Sequence, residues 1–376
     1  ENLYSIYSNK EYMNKFANNI KQYTKKIVRI EYKQLSKRKL RFLSSIFDVK
    51  QIFKIYKAIK IIKPKLIIVN QQYDEDSIDI IISSIIYKVT NFSYPIKIVC
   101  IIHMPRVENK IKNQPLGFFR YICLLFIYGL IRPIFLLTSK DCLNEFKKYY
   151  FLNQNKTFLL KSPLPDIKKN ISKKYSLEIL NNSEISDYSK NKLNKWLANN
   201  RQIILLGCQM NNQKNPLFAF SCWLKLRQLY KSKACFLIIG EGPLRNKISD
   251  KIANLSSNLM EDTLQLNWVP DLSRYILISD LLLMPSSFEG MNLTLLECVS
   301  YNKQIILGKF EGINEIRNFT NCFTQIDTFD EKIWAEKINE KLCEKINKRK
   351  KNFLNKKFLS HYSDYECFQS FQESIN

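Results

Sequence analysis

Two glutamates near a predicted strand end are the residues whose types and spacing best suit a chemical site. Glu289 and Glu297 have seven residues between them. The apolar run Leu281 to Met284, closed by Pro285-Ser286-Ser287, predicts a buried strand followed by a turn. Apolar residues then recur at helical spacing from Leu293 to Val299. The two carboxylates therefore flank a strand–turn–helix junction.

The start of that helix is predicted to bind an anion. Backbone amides of a first helical turn have no partner within the helix and carry a partial positive charge. A phosphate group can rest on them, with a carboxylate on either side to accept protons of sugar hydroxyls. Two surface glutamates in an ordinary βα unit are the alternative. The amides expected to bind the donor belong to Gly290, Met291, Asn292, Leu293 and Thr294.

The nine residues from Glu289 to Glu297, E-G-M-N-L-T-L-L-E, resemble the E-x7-E element of retaining glycosyltransferases of family four. This resemblance implies an α/β architecture of the GT-B type, with two Rossmann-like doubly wound parallel-sheet domains facing a central cleft. It also implies that Glu297 binds the ribose hydroxyls of a nucleotide sugar and that Glu289 binds the donor sugar. No Asp-x-Asp stands where a metal would be bound, so we expect no cofactor and metal-independent chemistry.

A second match to the family follows the strand predicted at 202–206. Relatives hold the donor pyrophosphate with an Arg and a Lys five residues apart, and Lys214 occupies the Lys position. Gln209 stands in place of the Arg, and it can donate a hydrogen bond but no charge. This departure bears on donor affinity and on stabilisation of the leaving group. A surface lysine without a role is the alternative for Lys214.

Three further strand ends contribute candidates. Gly240-Glu241-Gly242-Pro243 resembles the family's turn near the nucleoside, where Gly242 would allow close approach of a base or ribose. Val269, one strand later, offers backbone groups to the base. His103 ends an apolar strand of the N-terminal half, where relatives place a histidine facing the reacting sugar; the alternative is a structural histidine. We expect Glu289, His103 and Lys214 to be catalytic.

The acceptor is expected at the N-terminal half. Tyr73 and Arg106 each follow a predicted strand, and ligands of open parallel sheets bind beyond the carboxyl ends of strands. Arg106 would meet an acceptor phosphate, unless it is only a solvated side chain. The glycine-rich turn of the family is absent after the first strand, where Ser8-Asn9-Lys10 stands instead. Either the acceptor loop differs or the true first strand lies upstream.

Strands alternate with helices along most of the chain, which predicts parallel sheets covered on both faces. We expect an N-terminal acceptor domain at 1–165, a linker at 166–200, a nucleotide-sugar domain at 201–350, and a helix within 351–376 that returns to the N-terminal domain. Ten cysteines without a C-x-x-C pair and only two histidines predict neither a disulfide framework nor a zinc site. A reducing, cytoplasmic setting is the better interpretation.

The net charge of +25 is unevenly distributed. Residues 1–190 carry 34 Lys and Arg against 15 Asp and Glu, a net +19, so the excess belongs to the N-terminal half. The cluster Lys33 to Arg41 would face an anionic membrane, although a solvated face or compositional drift would look similar. Tyr121 to Ile131 is apolar but shorter than the ~20 residues that span a bilayer, so it predicts a buried or interfacial helix. No signal peptide is visible, and the absence of a starting Met indicates a missing N-terminal piece.

The sequence thus predicts a cytoplasmic enzyme on the inner face of the membrane. It would transfer a hexose-type sugar from a nucleoside diphosphate sugar, preferably a UDP-sugar, to a glycan or lipid-linked glycan, with retention at the anomeric carbon. One alternative is a GT-B nucleotide-sugar epimerase, which two histidines in the whole chain disfavour. The other is a basic protein that binds nucleic acid, but no aromatic-flanked basic motif or reader module is present.

Overall fold

The computed structural model describes residues 4–8, 26–30, 42, 46–91, 96–114, 116–164, 185–320, 322–344 and 356–375. The chain divides into two compact units, one of Glu1–Leu160 with Ser370–Asn376 and one of Lys161–Gln369. The basic cluster Lys33 to Arg41 lies outside the described residues. All ten cysteines are described, and all are free thiols.

The strands of the first unit form two parallel sheets. A two-stranded sheet pairs β1 with β2, and a four-stranded sheet follows the chain in the order β3-β4-β5-β6. Strands β3, β4 and β5 are short and rich in Ile, Val and Leu, as expected for a buried parallel sheet. The strand bounds are β1 Tyr4–Ser8, β2 Lys26–Ile30, β3 Leu66–Gln71, β4 Lys97–Ile102, β5 Ile134–Leu137 and β6 Thr157–Leu159.

Five α-helices and a 3₁₀ helix are described in the first unit. Ser139 caps the helix that begins at Lys140, because Ser139 Oγ accepts a hydrogen bond from Cys142 N at 3.2 Å. The apolar stretch around Tyr121 to Ile131 is a longer helix, and only part of its surface is buried. The bounds are α1 Val49–Ile62, α2 Ile78–Thr90, α3 Val107–Asn113, α4 Gly117–Ile131, α5 Lys140–Tyr149 and the 3₁₀ helix Phe151–Lys156.

The second unit is a six-stranded parallel sheet in the order β9-β8-β7-β10-β11-β12. Successive residues of its strands enter two separate apolar cores: Ile203 and Leu205 lie in one, Ile204 and Leu206 in the other. Helices therefore cover both faces, which is the predicted doubly wound arrangement. The bounds are β7 Ile203–Gly207, β8 Cys235–Ile239, β9 Thr263–Leu266, β10 Leu281–Met284, β11 Gln304–Gly308 and β12 Phe323–Ile326.

Part of the predicted linker is in fact a core helix. Residues 187–198 form α6, and its Leu193 and Trp196 are buried in the core of the second unit, so the Lys- and Asn-rich composition of this stretch was misleading. The other helices are α7 Pro216–Tyr230, α8 Arg245–Ala253, α9 Ser257–Glu261, α10 Ser273–Ile278, α11 Leu293–Ser300, α12 Ile313–Arg317, α13 Glu331–Cys343 and α14 Asp364–Ile375, with α6 spanning Asp187–Ala198.

The C-terminal helix α14 is shared between the two units. Its residues from Ser370 onward belong to the first unit, where Ser370 Oγ donates to Leu159 O at 3.4 Å and Lys97 Nζ donates to Ile375 O at 2.9 Å. In the second unit, the amide of Leu164 donates to Tyr362 O at 3.1 Å. None of the helices in the described part of the chain has the length and apolarity that a bilayer crossing requires.

Candidate functional site

The strand order of the second unit places a ligand crevice beside β7 and β10. The chain runs outward from β7 through β8 to β9, then returns to pair β10 with the other edge of β7. Loops leaving neighbouring strands on either side of such a reversal diverge and open a crevice at their carboxyl ends. The loops at this point are 208–215 after β7 and 285–292 after β10. They carry most of the residues assigned to the donor from the sequence.

Hydrogen bonds join these two loops. The amide of Ser287 donates to Gln213 O at 2.8 Å, and Gln213 Nε2 donates to Phe288 O at 2.9 Å. Next to these bonds, Lys214 Nζ forms an ion pair with Glu289 Oε1. Two predicted site residues, 75 positions apart in the chain, are therefore in direct contact.

The ion pair is largely withdrawn from solvent. The side chain of Glu289 is 6% exposed and that of Lys214 is 20% exposed. Each charge would be costly to bury alone, so the partner stabilises it. An ammonium has three donors and a carboxylate can accept several hydrogen bonds, so both groups retain capacity for a ligand. The pair can present a cation to phosphate oxygens and a carboxylate to sugar hydroxyls.

The helix predicted after Glu289 begins at Leu293. Asn292 Oδ1 accepts a hydrogen bond from Leu295 N at 3.1 Å, so this side chain is an N-cap. The amides of Leu293 and Thr294 lie in the first turn, where no helical carbonyl reaches them. Gly290 is buried just before the turn. The structure therefore places a helix start where the sequence predicted one, with the amide of Leu295 already committed to the cap.

Met291 and Leu293 fix this turn in different ways. Met291 is partly buried and packs against the apolar core below the sheet, whereas the side chain of Leu293 is 56% exposed. One side chain anchors the loop, and the other leaves the helix start open to solvent.

Glu297 lies one turn further along α11 and has an unusual proton affinity. The side chain is half-buried. Burial, and to a lesser extent the negative charge of Asp271, raises the pKa of Glu297 to about 7. Asp271 is held by Arg274 Nε at 3.0 Å and by the amide of Ser273 at 3.1 Å. Near neutral pH, this carboxyl group can change its charge with a small change in its surroundings.

The two glycines of the 240–243 turn are required by its packing against the β7 loop. Gly240 and Gly242 have φ of +142° and +148°, values that L side chains rarely adopt. A Cβ atom would lie 1.9 Å from Cys208 O at Gly240 and 2.5 Å from Met210 O at Gly242. The amide of Met210 also donates to Glu241 O at 2.8 Å. The sequence assigned these glycines to nucleoside contact; the structure shows a close backbone contact within the protein.

Gln209 and Val269, two residues assigned to the donor from the sequence, both lie on loops of the second unit. Gln209 is exposed, and its Oε1 accepts a hydrogen bond from Asn211 Nδ2 at 3.1 Å. Val269 is partly buried against the core. It lies in a loop, because β9 ends at Leu266. Both positions lie on segments that follow carboxyl ends of strands in the second unit.

The remaining candidates belong to the first unit. His103 follows β4, and its Nε2–H donates to Asn70 Oδ1 at 2.8 Å. Burial lowers the pKa of His103 below its usual value, which favours the neutral imidazole. Tyr73 is half-buried, with Lys110 Nζ 5.0 Å from its ring centre, and Arg106 adopts φ of +46° immediately before α3. These residues follow β3 and β4, as predicted.

A buried polar network beside Tyr73 was missed from the sequence. Asp74 is 1% exposed, forms an ion pair with Lys110, and accepts a hydrogen bond from Tyr150 Oη at 2.6 Å. Arg120 of α4 pairs with Glu75 at 3.3 Å. The acidic run after β3 hinted at this cluster, but the partners come from α3, from α4 and from Tyr150, which follows α5. Gln213 and Asp271 were also missed, and only their proximity to predicted site residues could have indicated them.

Comparisons with known proteins agree on the second unit. Residues 200–344 match the family model of glycosyl transferases group 1. A similar protein is the UDP-Gal:alpha-D-GlcNAc-diphosphoundecaprenol alpha-1,3-galactosyltransferase of Escherichia coli, 28% identical over 130 residues. The match covers 30% of this chain and spans a third, 33%, of the length of that curated relative.

Solved structures support the whole fold. A glycosyltransferase from Rickettsia africae superposes with a TM-score of 0.64 and 16% identity, covering 99% of this chain and 89% of that protein. Anabaena HepE in complex with UDP gives a TM-score of 0.65 with 11% identity, covering 96% and 89%. At such identities the likeness concerns the fold alone. It confirms the predicted GT-B class with two Rossmann-like parallel-sheet domains.

Proposed function

We propose that this chain, whose residues 200–344 match the family model of glycosyl transferases group 1, transfers a hexose-type sugar from a UDP-sugar to a glycan or lipid-linked glycan acceptor. The observation that carries the proposal is the contact between Lys214 and Glu289 at the reversal of the sheet. The UDP found in Anabaena HepE and the UDP-galactose specificity named for the Escherichia coli relative support the choice of nucleotide. Both proteins are similar to this chain, and neither fixes its donor sugar.

The proposed chemistry follows from where charge develops. When the bond between the anomeric carbon and the diphosphate breaks, negative charge grows on the departing phosphate oxygens. Lys214 and the first-turn amides of α11 supply a cation and aligned dipoles for that charge. Glu289 accepts hydroxyl protons of the donor sugar, and Glu297 accepts those of the ribose. We propose retention at the anomeric carbon, as in family four.

We also propose which residues bind the acceptor and whether the reaction needs a metal. Tyr73 and Arg106 are assigned to the acceptor, and His103 to the reacting sugar. We propose that catalysis needs no divalent metal. Transfer that persists in EDTA and is unchanged by added Mg²⁺ or Mn²⁺ is the expected result, and strict metal dependence would contradict it.

Calorimetry with UDP tests the site, and hydrolysis of a panel of UDP- and GDP-sugars tests the activity. Lys214→Ala should lower UDP affinity about 10- to 150-fold, because a charge-assisted hydrogen bond contributes about 1.5–3 kcal/mol. The matched control is Lys231→Ala, at an exposed lysine that ends α7 of the same unit. Equal UDP affinity in the two variants would refute the site, and GDP-sugar hydrolysis without UDP-sugar hydrolysis would refute the choice of nucleotide.

A further inference from the structure

The outer surface of α1 combines cations with large apolar side chains. The helix buries Gln51, Ile52, Ile55 and Ile59 against the first unit. On the opposite side, four positions at helical spacing hold exposed lysines, and large apolar residues lie between them. We call this surface the α1 face. It consists of Phe47, which precedes the N-cap of the helix, and of the helical residues Lys50, Phe53, Lys54, Lys57, Lys60 and Ile61.

The exposure of its apolar members is high. Phe47 is 73% exposed, Phe53 is 53% exposed and Ile61 is 78% exposed. Single exposed apolar residues are ordinary, but several on one helix face, surrounded by charge, indicate a contact surface. The sequence of α1, from Val49 to Ile62, contains no acidic residue. Asp48, the acidic residue that directly precedes the helix, is the N-cap and accepts a hydrogen bond from Gln51 N at 2.9 Å.

We infer that the α1 face binds the surface of an anionic lipid bilayer. Helices that lie in the bilayer interface have lysines that reach phosphate headgroups and phenylalanines that enter the acyl boundary. Lys57 Nζ lies 4.7 Å from the ring centre of Phe53, so cationic and aromatic groups are interleaved. A nucleic acid would match the lysines but would leave Phe47 and Ile61 without an apolar environment.

A second exposed apolar surface, on α4, lacks this charge complementarity. It consists of Leu116, Phe118, Phe119, Ile122, Phe126 and Leu130, all at least 44% exposed. The one charged residue of α4 is Arg120, which is buried and paired with Glu75. The sequence assigned the membrane contact to the cluster Lys33 to Arg41, which lies outside the described residues, and predicted a buried or interfacial helix at Tyr121 to Ile131. Between the two described surfaces, the charges favour α1.

The test is partitioning of the full chain onto vesicles. Vesicles of phosphatidylcholine with about a third phosphatidylglycerol are compared with pure phosphatidylcholine at low and high salt. We expect binding to the anionic vesicles only, weakened by salt because exposed charges are screened within about a Debye length of ~10 Å at 0.1 M. Lys50→Glu/Lys54→Glu/Lys57→Glu should weaken partitioning at least about 100-fold, since three cations are lost from the surface.

The matched control changes the net charge by the same amount, but on the second unit. Lys231→Glu/Lys247→Glu/Lys251→Glu replaces three exposed lysines there and should partition like the wild type. Calorimetric binding of UDP checks that each variant is folded. Because vesicle binding needs no sugar transfer, its failure is distinguishable from failure of the proposed function.

A local probe identifies the surface that touches lipid. All four tryptophans lie between 196 and 334, so Phe53→Trp introduces one into the first unit. Brominated lipids should quench this added fluorescence, whereas Phe118→Ser/Phe126→Ser on α4 should leave partitioning unchanged. Absence of wild-type binding, equal binding to neutral vesicles, equal loss in the two lysine variants, or loss only in the α4 variant would overturn the inference.

Discussion

Donor affinity should depend on pH through Glu297. The pKa of this group is raised to about 7, mainly by burial and then by the charge of Asp271. If only the ionised carboxyl accepts the ribose hydroxyls, affinity follows the ionised fraction. That fraction rises from about a tenth at pH 6 to about nine tenths at pH 8, so affinity should rise about 10-fold over this range.

The effect on folding has the opposite sign. The folded-state pKa of Glu297 lies above the value of 4.5 for an unperturbed glutamate. Protonated Glu297 therefore stabilises the fold below about pH 4.5, and this contribution is lost as the pH rises through about 7. Stability that falls while affinity rises would separate the role of Glu297 in binding from an effect on the fold.

Isothermal calorimetry with UDP-glucose is the suitable assay, because its diphosphate is a diester without a second ionisation near neutral pH. Glu297→Gln keeps the shape and should abolish the pH dependence, with affinity near that of the wild type at low pH. Asp271→Asn should move the transition to lower pH, because it removes a charge that raises the pKa of Glu297. A flat wild-type profile, or an equal slope in Glu297→Gln, would refute the reasoning.

Three other changes test the neighbouring elements. Gln209→Arg should strengthen UDP binding, since a guanidinium holds phosphate bidentately, and an unchanged or weaker calorimetric affinity would show that Gln209 does not occupy the Arg position. Gly242→Ala should lower the free energy of unfolding in urea by about 1–3 kcal/mol, because φ is +148° and Met210 O blocks the new methyl; a wild-type midpoint would contradict this. Asp262→Ala should destabilise the fold by about 3–5 kcal/mol, because Arg201 and Arg227 lose the carboxylate that they share. Their guanidinium nitrogens lie 2.7 and 2.8 Å from the Asp262 oxygens. The control is Lys251→Ala, at an exposed site.

The apolar pattern of the sequence was sufficient to locate the helices and strands that have clear periodicity or continuous apolar runs. Helices α1 and α7 and strand β8 are visible in the sequence, since each has clear periodicity or an unbroken apolar run between turn signals. Pattern failed for α6, whose many Lys and Asn residues looked like a linker while two apolar residues, Leu193 and Trp196, carry the packing. The short strand β12 was also missed, because F-T-Q-I has only a weak alternation.

The sequence indicated which residues belong to the candidate site, but it did not indicate the hydrogen bonds and charges through which they act on one another. Strand ends, a glycine and the seven-residue spacing indicated Glu289 and Glu297 from sequence alone. The bond from Gln213 to Phe288 O joins residues 75 positions apart, so no local pattern contains it. The same holds for the pKa of Glu297, because burial and Asp271 act through the folded chain.

The contact between Lys214 and Glu289 also bears on how the donor is recruited. Gln209 contributes no charge, and the positive charge of Lys214 is offset by its partner, so the two loops present little net charge to a diphosphate. The ion pair, however, holds the ammonium within the crevice before any ligand arrives, which lowers the entropy lost when the donor binds. In the proposed site, donor binding would add phosphate oxygens to an oriented cation beside the first turn of α11. Affinity in this site should therefore depend more on preorganised geometry than on long-range attraction, and donor binding should be less sensitive to salt than vesicle binding by the α1 face.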